Sequence, residues 1–381
     1  DNGYQLFILI PGGSGFTWNA TTSTFAQITD ADFTANGAPQ YVCFIDGYSV
    51  CTTSTKKFII SALNDSMSWN ALDFGSAETD PDAIVAPWVL NNRLYIFGTE
   101  TIQPYRNTGN VDFPFETVIG GTLNKGLFAP RSLVNGSDHM YWVGGGKDDS
   151  ASIWRSNGNS PEPISTIAID KTLQRVDDPS AIVSWSYSKD GAIFIGFRLP
   201  DTTLVYDETN NLWHERQSRY TDGTGVEYKV GWRCSSLCMA YNNVYVGDSL
   251  DGRIGTIENE SFSEYTDNNI IRTIVTQPFI DQMDSFFLPT LELTMESGVG
   301  NATSTDPKIR LSISRDGGRS FSPERSRGIG PVGDFGRRAI WNRNGKFSQS
   351  AVFKWEWSEP ATYQVIRADA KIKKGLPRYS M

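Results

Sequence analysis

A short unit recurs five times along this chain: an apolar strand, a polar turn of Asn, Asp or Gly, and a second apolar strand that mostly ends in Gly. It runs as Tyr41–Phe44, Asp46-Gly47 and Tyr48–Cys51, then as Trp88–Leu90, Asn91-Asn92 and Leu94–Gly98. It returns as Leu133-Val134, Asn135-Gly136 and Met140–Gly144, and as Ile182–Tyr187, Asp190-Gly191 and Ile193–Gly196. The last copy is Leu237–Tyr241, Asn242-Asn243 and Val244–Gly247. The ends of the second strands lie 47, 46, 52 and 51 residues apart. Four short strands with their turns need about that length, so the period predicts the four-stranded blades of a β-propeller.

A third strand and a polar, often aromatic fourth follow the hairpins. Examples are Thr101–Tyr105 with Pro114–Ile119, Ala151–Arg155 with Pro163–Ile167, Thr203–Tyr206 with Leu212–Glu215, and Arg253–Ile257 with Ser261–Tyr265. Residues 4–33 read as the second to fourth strands of an earlier blade. The expected count is five complete blades and most of a sixth, with six or seven in the whole ring. The chain starts at Asp1 inside a repeat, so an N-terminal portion is expected to be missing. A propeller avoids free edges by closing its ring. Two sources for the missing strand stay open: upstream residues, or Ile270–Ile280 returning to the first blade. No segment keeps apolar spacing of i, i+3, i+4, i+7 with caps over three turns, which makes the fold class all-β.

From about Leu288 the repeat stops. Leu288–Met295, Lys308–Ser314, Ala339–Asn342, Ser350–Trp357 and Tyr363–Ala370 read as strands of a β-sandwich-like module. The expected division is 1–280 for the propeller and 281–381 for the module. Alternation in Val352–Trp357 puts Phe353, Trp355 and Trp357 on one face, the core of that sandwich.

The net charge of −9 is unevenly spread. Residues 1–299 hold 18 Lys/Arg against 36 Asp/Glu, and residues 300–381 hold 16 against 7. Two readings stand: differently solvated faces, or a basic module that docks on the acidic surface of a neighbouring copy. An acidic chain is a poor candidate for tight static binding to nucleic acid, where affinity comes from cations that neutralise phosphates. No apolar run is long enough to span a bilayer, and no basic segment followed by an apolar one marks a secretory leader.

The four cysteines are too few for a disulfide scaffold. With Asp46-Gly47 as a two-residue turn, Ile45 pairs with Tyr48, Cys43 with Val50 and Val42 with Cys51, so Cys43 and Cys51 point to opposite faces. Cys234 and Cys238 sit on one extended strand, too far apart to bond. All four are expected as buried, reduced thiols. The two histidines, His139 and His214, lie away from any Cys pair at zinc-ligand spacing. Asp248-Ser249-Leu250-Asp251-Gly252 lacks the further ligands of a calcium loop. Gly144-Gly145-Gly146-Lys147 lacks the spacing and the Ser/Thr of a phosphate loop.

Ser314-Arg315-Asp316-Gly317-Gly318-Arg319-Ser320-Phe321 resembles the Asp-box of sialidases, a structural turn set away from their catalytic centre. Its aspartate, Asp316, is expected to bond backbone N–H groups, Gly317 and Gly318 to accept positive φ, and Phe321 to pack beneath, with Ser314 leading the turn. Arg325, Arg327, Arg337 and Arg338 form a candidate basic surface between subunits. No carboxylate pair, serine elbow or ligand cluster specifies a catalytic, cofactor or metal site, so no enzyme activity is expected. A carbohydrate-active propeller enzyme and a generic protein-binding propeller remain as alternatives.

The order of several segments carries a resemblance. Phe97–Arg106 (FGTETIQPYR), Leu123–Gly126 (LNKG) and Thr203–Asp207 (TLVYD) with Trp213 precede Leu311–Phe321 (LSISRDGGRSF) and Arg338–Arg343 (RAIWNR). From about residue 85 onward the chain resembles the tail hub, or nozzle, proteins of short-tailed bacteriophages, the packaged-DNA stabilisation proteins. The resemblance implies a structural protein of the virion tail, assembled in the host bacterial cytoplasm. It implies a homo-oligomeric, hexameric ring below the portal and adaptor, with a tail needle and tailspike or fibre proteins as further partners. Double-stranded DNA would pass transiently through the conduit, without an enzyme activity, a cofactor or a membrane span.

Overall fold

The computed structural model describes residues 1–77, 82–265, 268–281 and 284–375. They form two compact units, Asp1–Thr256 and Ile257–Met381.

The first unit is a succession of six antiparallel sheets in chain order. The first has three strands, Gln5–Ile10, Ser14–Asn19 and Thr24–Gln27. Sheets two and three, from Pro39–Ile45 to Asp65–Ser76 and from Ile84–Leu90 to Phe115–Thr117, have four strands each. Sheets four and five, covering 126–163 and 183–231, have five each. The sixth has three: Cys234–Ala240, Asn243–Asp248 and Ile254–Thr256.

The core is laminated between these sheets. In Arg93–Gly98, Leu94 and Ile96 join the apolar cluster shared with the preceding sheet, through Ile45, Val50 and Phe58. Tyr95 and Phe97 join the cluster shared with the following sheet, through Met140 and Trp142. All four are at most 1 % exposed. A strand buried on both faces reads as a continuous apolar run, which is why the repeat lacks polar alternation. Met140–Gly145 repeats the arrangement, with Trp142 turned back and Tyr141 and Val143 turned forward to Ile195 and Phe197. Gln5–Ile10 is the exception. Phe7 and Leu9 pack on Phe33 and Trp69, whereas Leu6, Ile8 and Ile10 stay 47, 39 and 52 % exposed.

The hairpin turns follow the residues that tolerate positive φ. Asp46-Gly47, Asn91-Asn92 and Asp190-Gly191 all have φ between +49° and +89°, the two-residue geometry that matches strand twist. The register in the first of them pairs Ile45 with Tyr48, Cys43 with Val50 and Val42 with Cys51, as expected.

Several expectations are corrected. The last hairpin turns at Tyr241-Asn242, one residue early, because Ala240 pairs with Asn243. Asn135-Gly136 is no two-residue turn: Gly136 N donates to His139 O, which makes a longer loop. Ile167–Leu173 is an α-helix, capped by Thr166 and anchored through Ile169 and Leu173; two turns are too short for a periodicity search over three. The last blade was expected to be complete, but Ser263-Glu264 pairs with Asn268-Asn269 in a separate two-stranded sheet. Ile270–Ile280 does not return to the first blade. Its Arg272–Val275 pairs with Val352–Trp357, so the division lies upstream of the expected residue 280.

The second unit is a sandwich of two antiparallel sheets. One orders Arg272–Val275, Val352–Trp357, Lys308–Ser314 and Arg325–Gly328. In the other, Phe286–Met295 is flanked by Ala339–Asn342 and Lys346-Phe347 on one side and by Val365–Lys374 on the other. Phe353, Trp355 and Trp357 are at most 6 % exposed and pack with Leu291, Leu293, Ile309, Leu311 and Trp341.

All four cysteines are free, but Cys238 is exposed rather than buried. The bulge between Cys234 and Ser236 shifts the strand, and Cys238 falls on the outward face of the sixth sheet beside Tyr245. Burial pushes the Cys234 thiol up to about 12 and raises Cys43 and Cys51 well above the ordinary thiol range. Thiolate is the reactive form. Alkylation of the native protein should therefore modify Cys238 alone on the fast time scale, and four thiols after denaturation without reductant. Intact-mass analysis checks both numbers.

Candidate functional site

The Asp-box turn joins Lys308–Ser314 to the strand Arg325–Gly328. Ser314, fully buried, donates its hydroxyl to Asp316 Oδ1 at 2.7 Å and accepts Gly318 N at 2.9 Å. Asp316 Oδ1 accepts the amides of Arg319 (3.0 Å) and Ser320 (2.9 Å), and Oδ2 accepts the Ser320 hydroxyl at 2.5 Å. Gly317 and Gly318 hold φ of +78° and +96°, which a side chain would strain. Phe321 is half-buried, with Lys354 Nζ 5.2 Å from its ring centroid. Hydrogen bonds from Ser314 and then Ser320 hold the Asp316 carboxyl well below its usual range. Both oxygens of this carboxylate accept from its own loop, the geometry of a turn.

The four arginines come together only in part. Arg325 and Arg327 lie on one edge strand and reach across to the other sheet. Arg327 Nε donates to Ile340 O at 2.8 Å, and Arg325 Nη1 to Asn342 O at 3.3 Å. Arg325 also donates to Asn344 Oδ1. Arg338 forks onto Glu292, at 2.7 and 2.5 Å. Arg337 is looser, 4.0 Å from Asp334. These guanidinia cap edge carbonyls and pair within the module, a use that charge counting along the sequence does not separate from a free basic patch.

The unit boundary also redistributes charge. Asp1–Thr256 holds 17 Lys/Arg against 28 Asp/Glu, and Ile257–Met381 holds 17 against 15, a balance of −11 and +2. Acidic residues 257–299 fold with the basic tail, and pairs such as Arg338–Glu292 neutralise part of it.

Other polar clusters are satisfied internally. Asp248, its side chain fully buried, accepts Arg233 Nε at 3.1 Å, and Asp251 accepts Arg253 Nε at 2.8 Å. The carboxylates of the calcium-like segment are thus ion-paired, and no group of three His, Cys, Asp or Glu among the described residues is placed to hold a metal. In the Gly144–Lys147 segment the Gly146 amide donates to Asp149 at 2.8 Å, while Lys125 bonds the same carboxylate at 2.5 Å. His214 accepts from Arg216 at 3.2 Å, and burial followed by Arg216 lowers it to about 4, neutral at pH 7.

One cluster escaped sequence reasoning. Glu208, after the third strand of sheet five, accepts Ser137 N (3.0 Å), Ser137 Oγ (3.0 Å) and Tyr141 OH (2.8 Å) of sheet four. It ties neighbouring sheets, and its partners lie 67 to 71 residues away, beyond any local signal.

Two outcomes follow from this chemistry. Asp316→Ala should lower the melting temperature of the sandwich unit by a few degrees at pH 7. A depressed folded pKa contributes stability above the ordinary carboxylate value and loses it as pH falls toward the folded one. The gap between wild type and variant should therefore shrink on acidification below the ordinary range, as calorimetry over a pH series reads. Asp248→Ala takes the buried carboxylate from Arg233 and leaves it Asp251 at 3.3 Å, and should lower the melting temperature of the propeller unit by several degrees. Added calcium should leave the wild-type melting temperature unchanged.

Comparison with known proteins agrees with this arrangement. The family described as "Bacteriophage P22 Gp10, beta-propeller" matches residues 2–262, and "Bacteriophage P22 Gp10, beta-sandwich" matches residues 271–373. No curated protein matches the chain. Among solved structures, an exo-β-1,3-galactanase from Phanerochaete chrysosporium is 8 % identical over 96 % of this chain and 89 % of its own, with a TM-score of 0.32. The N-terminal domain of Nup159 is 9 % identical over 64 % of this chain and 71 % of its own, with a TM-score of 0.37. At those scores neither likeness carries an argument. The two family matches cover both units, and the chain belongs to the bacteriophage P22 Gp10 family of tail hub, or nozzle, proteins that stabilise packaged DNA.

Proposed function

We propose that this tail protein works as one subunit of a closed, hexameric ring below the portal and its adaptor, where it holds packaged DNA in and later lets it out. The observation that carries the reading is the pair of family matches, propeller followed by sandwich, over nearly the whole chain. The needle closes the channel of such a ring, and tailspike or fibre proteins attach outside it. Assembly takes place in the host bacterial cytoplasm before the ring joins the virion. The role is structural, not enzymatic: the Asp-box carboxylate is committed to its own turn, and the calcium-like carboxylates are ion-paired.

The −11 balance of the propeller unit suits a wall past which DNA slides. A net negative surface disfavours the lasting phosphate contacts through which cations release counterions. Contacts between charged surfaces of neighbouring subunits weaken with salt, since screening acts over about 8–10 Å at physiological ionic strength.

Virions assembled without this protein should package DNA and then leak it, and supplying the chain should restore retention. Nuclease protection of heads before and after complementation reads this directly. Retained DNA without the protein would overturn the retention role. Negative-stain imaging with the adaptor should show rings, and a monomer in every condition would count against a ring. Arg337→Glu removes a loosely held cation and should weaken ring formation while the fold persists; indifference to both this change and salt would sink the electrostatic contribution. Incubation with sialosides and galactans should release no sugar.

A further inference from the structure

The two edges of the C-terminal sandwich are finished differently. At one, Arg325 and Arg327 cap carbonyls of Asn342 and Ile340, as described above. The other is formed by Arg272–Val275 of one sheet and Val365–Lys374 of its neighbour. Among the described residues, Val365–Lys374 pairs with Phe286–Met295 alone. Alternate N–H and C=O groups of a ten-residue strand therefore point away from the sheet with no strand beside them.

The side chains of this strand separate by chemistry. Ala368 stands opposite Leu293 and Ala370 opposite Leu291, both core residues at most 2 % exposed. Alternation puts Ile372 on that same core side, while a register shift makes Ile366 a bulge residue beside Val365, which packs on the core. Yet Ile366, Ala368, Ala370 and Ile372 are exposed, Ile366 at 66 % and Ile372 at 38 %. Across the edge Ile274, which pairs with the buried Trp355, is 37 % exposed. The apolar interior runs out to this edge and ends uncovered. Arg367, Asp369, Lys371 and Lys373 occupy the opposite side of the strand. With Lys374, the strand carries four basic residues and one acidic one, a balance of +3.

We propose that Val365–Lys374 is the docking edge for a second copy of this chain, taking an extended segment of that copy's acidic N-terminal unit as an added strand. The inference rests on the ring reading above and names its contact. A free backbone edge calls for an extended partner, and the Ala368–Ala370–Ile372 row, with exposed Ile366 at its bulged end, calls for one with an apolar face. Charge selects which. The same strand from a second copy would set +3 against +3, and like charges side by side destabilise a sheet. The N-terminal unit, at −11, has the complementary sign. Lysines on an edge guard against indiscriminate pairing, and an acidic strand is the partner they admit. A contact between unlike surfaces is heterologous, the kind that closes into a ring by rotation.

Hydrogen–deuterium exchange of the full chain, monomeric and assembled with the adaptor, tests the contact. Outward amides of 365–374 should slow about tenfold or more on assembly, a change of at least about 1.4 kcal/mol in local opening. Ile366→Ser with Ile372→Ser removes exposed side chains, so the melting temperature should hold while the concentration for half-assembly rises about tenfold. Lys371→Glu with Lys373→Glu should do the same. A ring whose 365–374 amides exchange as in the monomer, or one unaffected by both double variants, overturns this contact and leaves the ring reading standing. A chain that never assembles overturns both.

Discussion

The N-terminal unit depends on the burial of single strands from both sides. Leu94 and Ile96 serve one apolar layer, Tyr95 and Phe97 the next, and a four-residue stretch thereby contributes to two cores at once. A propeller made this way needs no thick interior. Each layer is one side chain deep from either sheet, and fully burying a large apolar side chain is worth roughly 1.5–3 kcal/mol. Polar links also cross between layers, Thr52 Oγ1 to Val85 O and Trp88 Nε1 to Asn135 Oδ1 among them. Glu208, bonded to Ser137 and Tyr141, is another, and Trp185 meets Trp232 edge to face at 5.2 Å.

In the sandwich the polar residues play a second part, finishing surfaces that strands leave open. Arg325 and Arg327 satisfy carbonyls of an edge strand, and Asp316 satisfies the amides of a tight turn. Residues that look like a binding patch or an active-site remnant in isolation are thus occupied by backbone. This is the physical content of a structural role: charges and hydrogen-bonding groups are answered within the chain, and the protein presents shape, edges and a net field to its neighbours.

Much of this was legible in the sequence. The period near 50 residues fixed the sheets, Asp46-Gly47 fixed a register, and the Phe353–Trp355–Trp357 alternation found the sandwich core. The Asp-box bonds follow from side chains two to four positions apart, within reach of local reasoning. What escaped was set by tertiary pairing. Ser263-Glu264 has strand-like neighbours but finds its partner at Asn268-Asn269. Arg272–Val275 is apolar enough for either unit, and only its pairing with Val352–Trp357 assigns it. The helix Ile167–Leu173 rests on one cap and two buried residues, too little periodicity to stand out. Charge asymmetry misled for the same reason: the acids of 257–299 are close in sequence to the propeller but fold with the basic tail.

The laminated core has a consequence for how the propeller unit comes apart. A sheet is held by its two neighbours and by little else, so its stability is close to a sum of nearest-neighbour layers, as in a stacked repeat array. Among the described residues, the first sheet shares an apolar layer with the second, through Phe7 and Leu9 against Phe33 and Trp69. Opening of one sheet is then a local event that erases its interfaces with its neighbours and leaves more distant layers intact. Interior sheets such as that of Tyr95 and Phe97 lose contacts on two fronts if they open, and they become the kinetic anchor of the array.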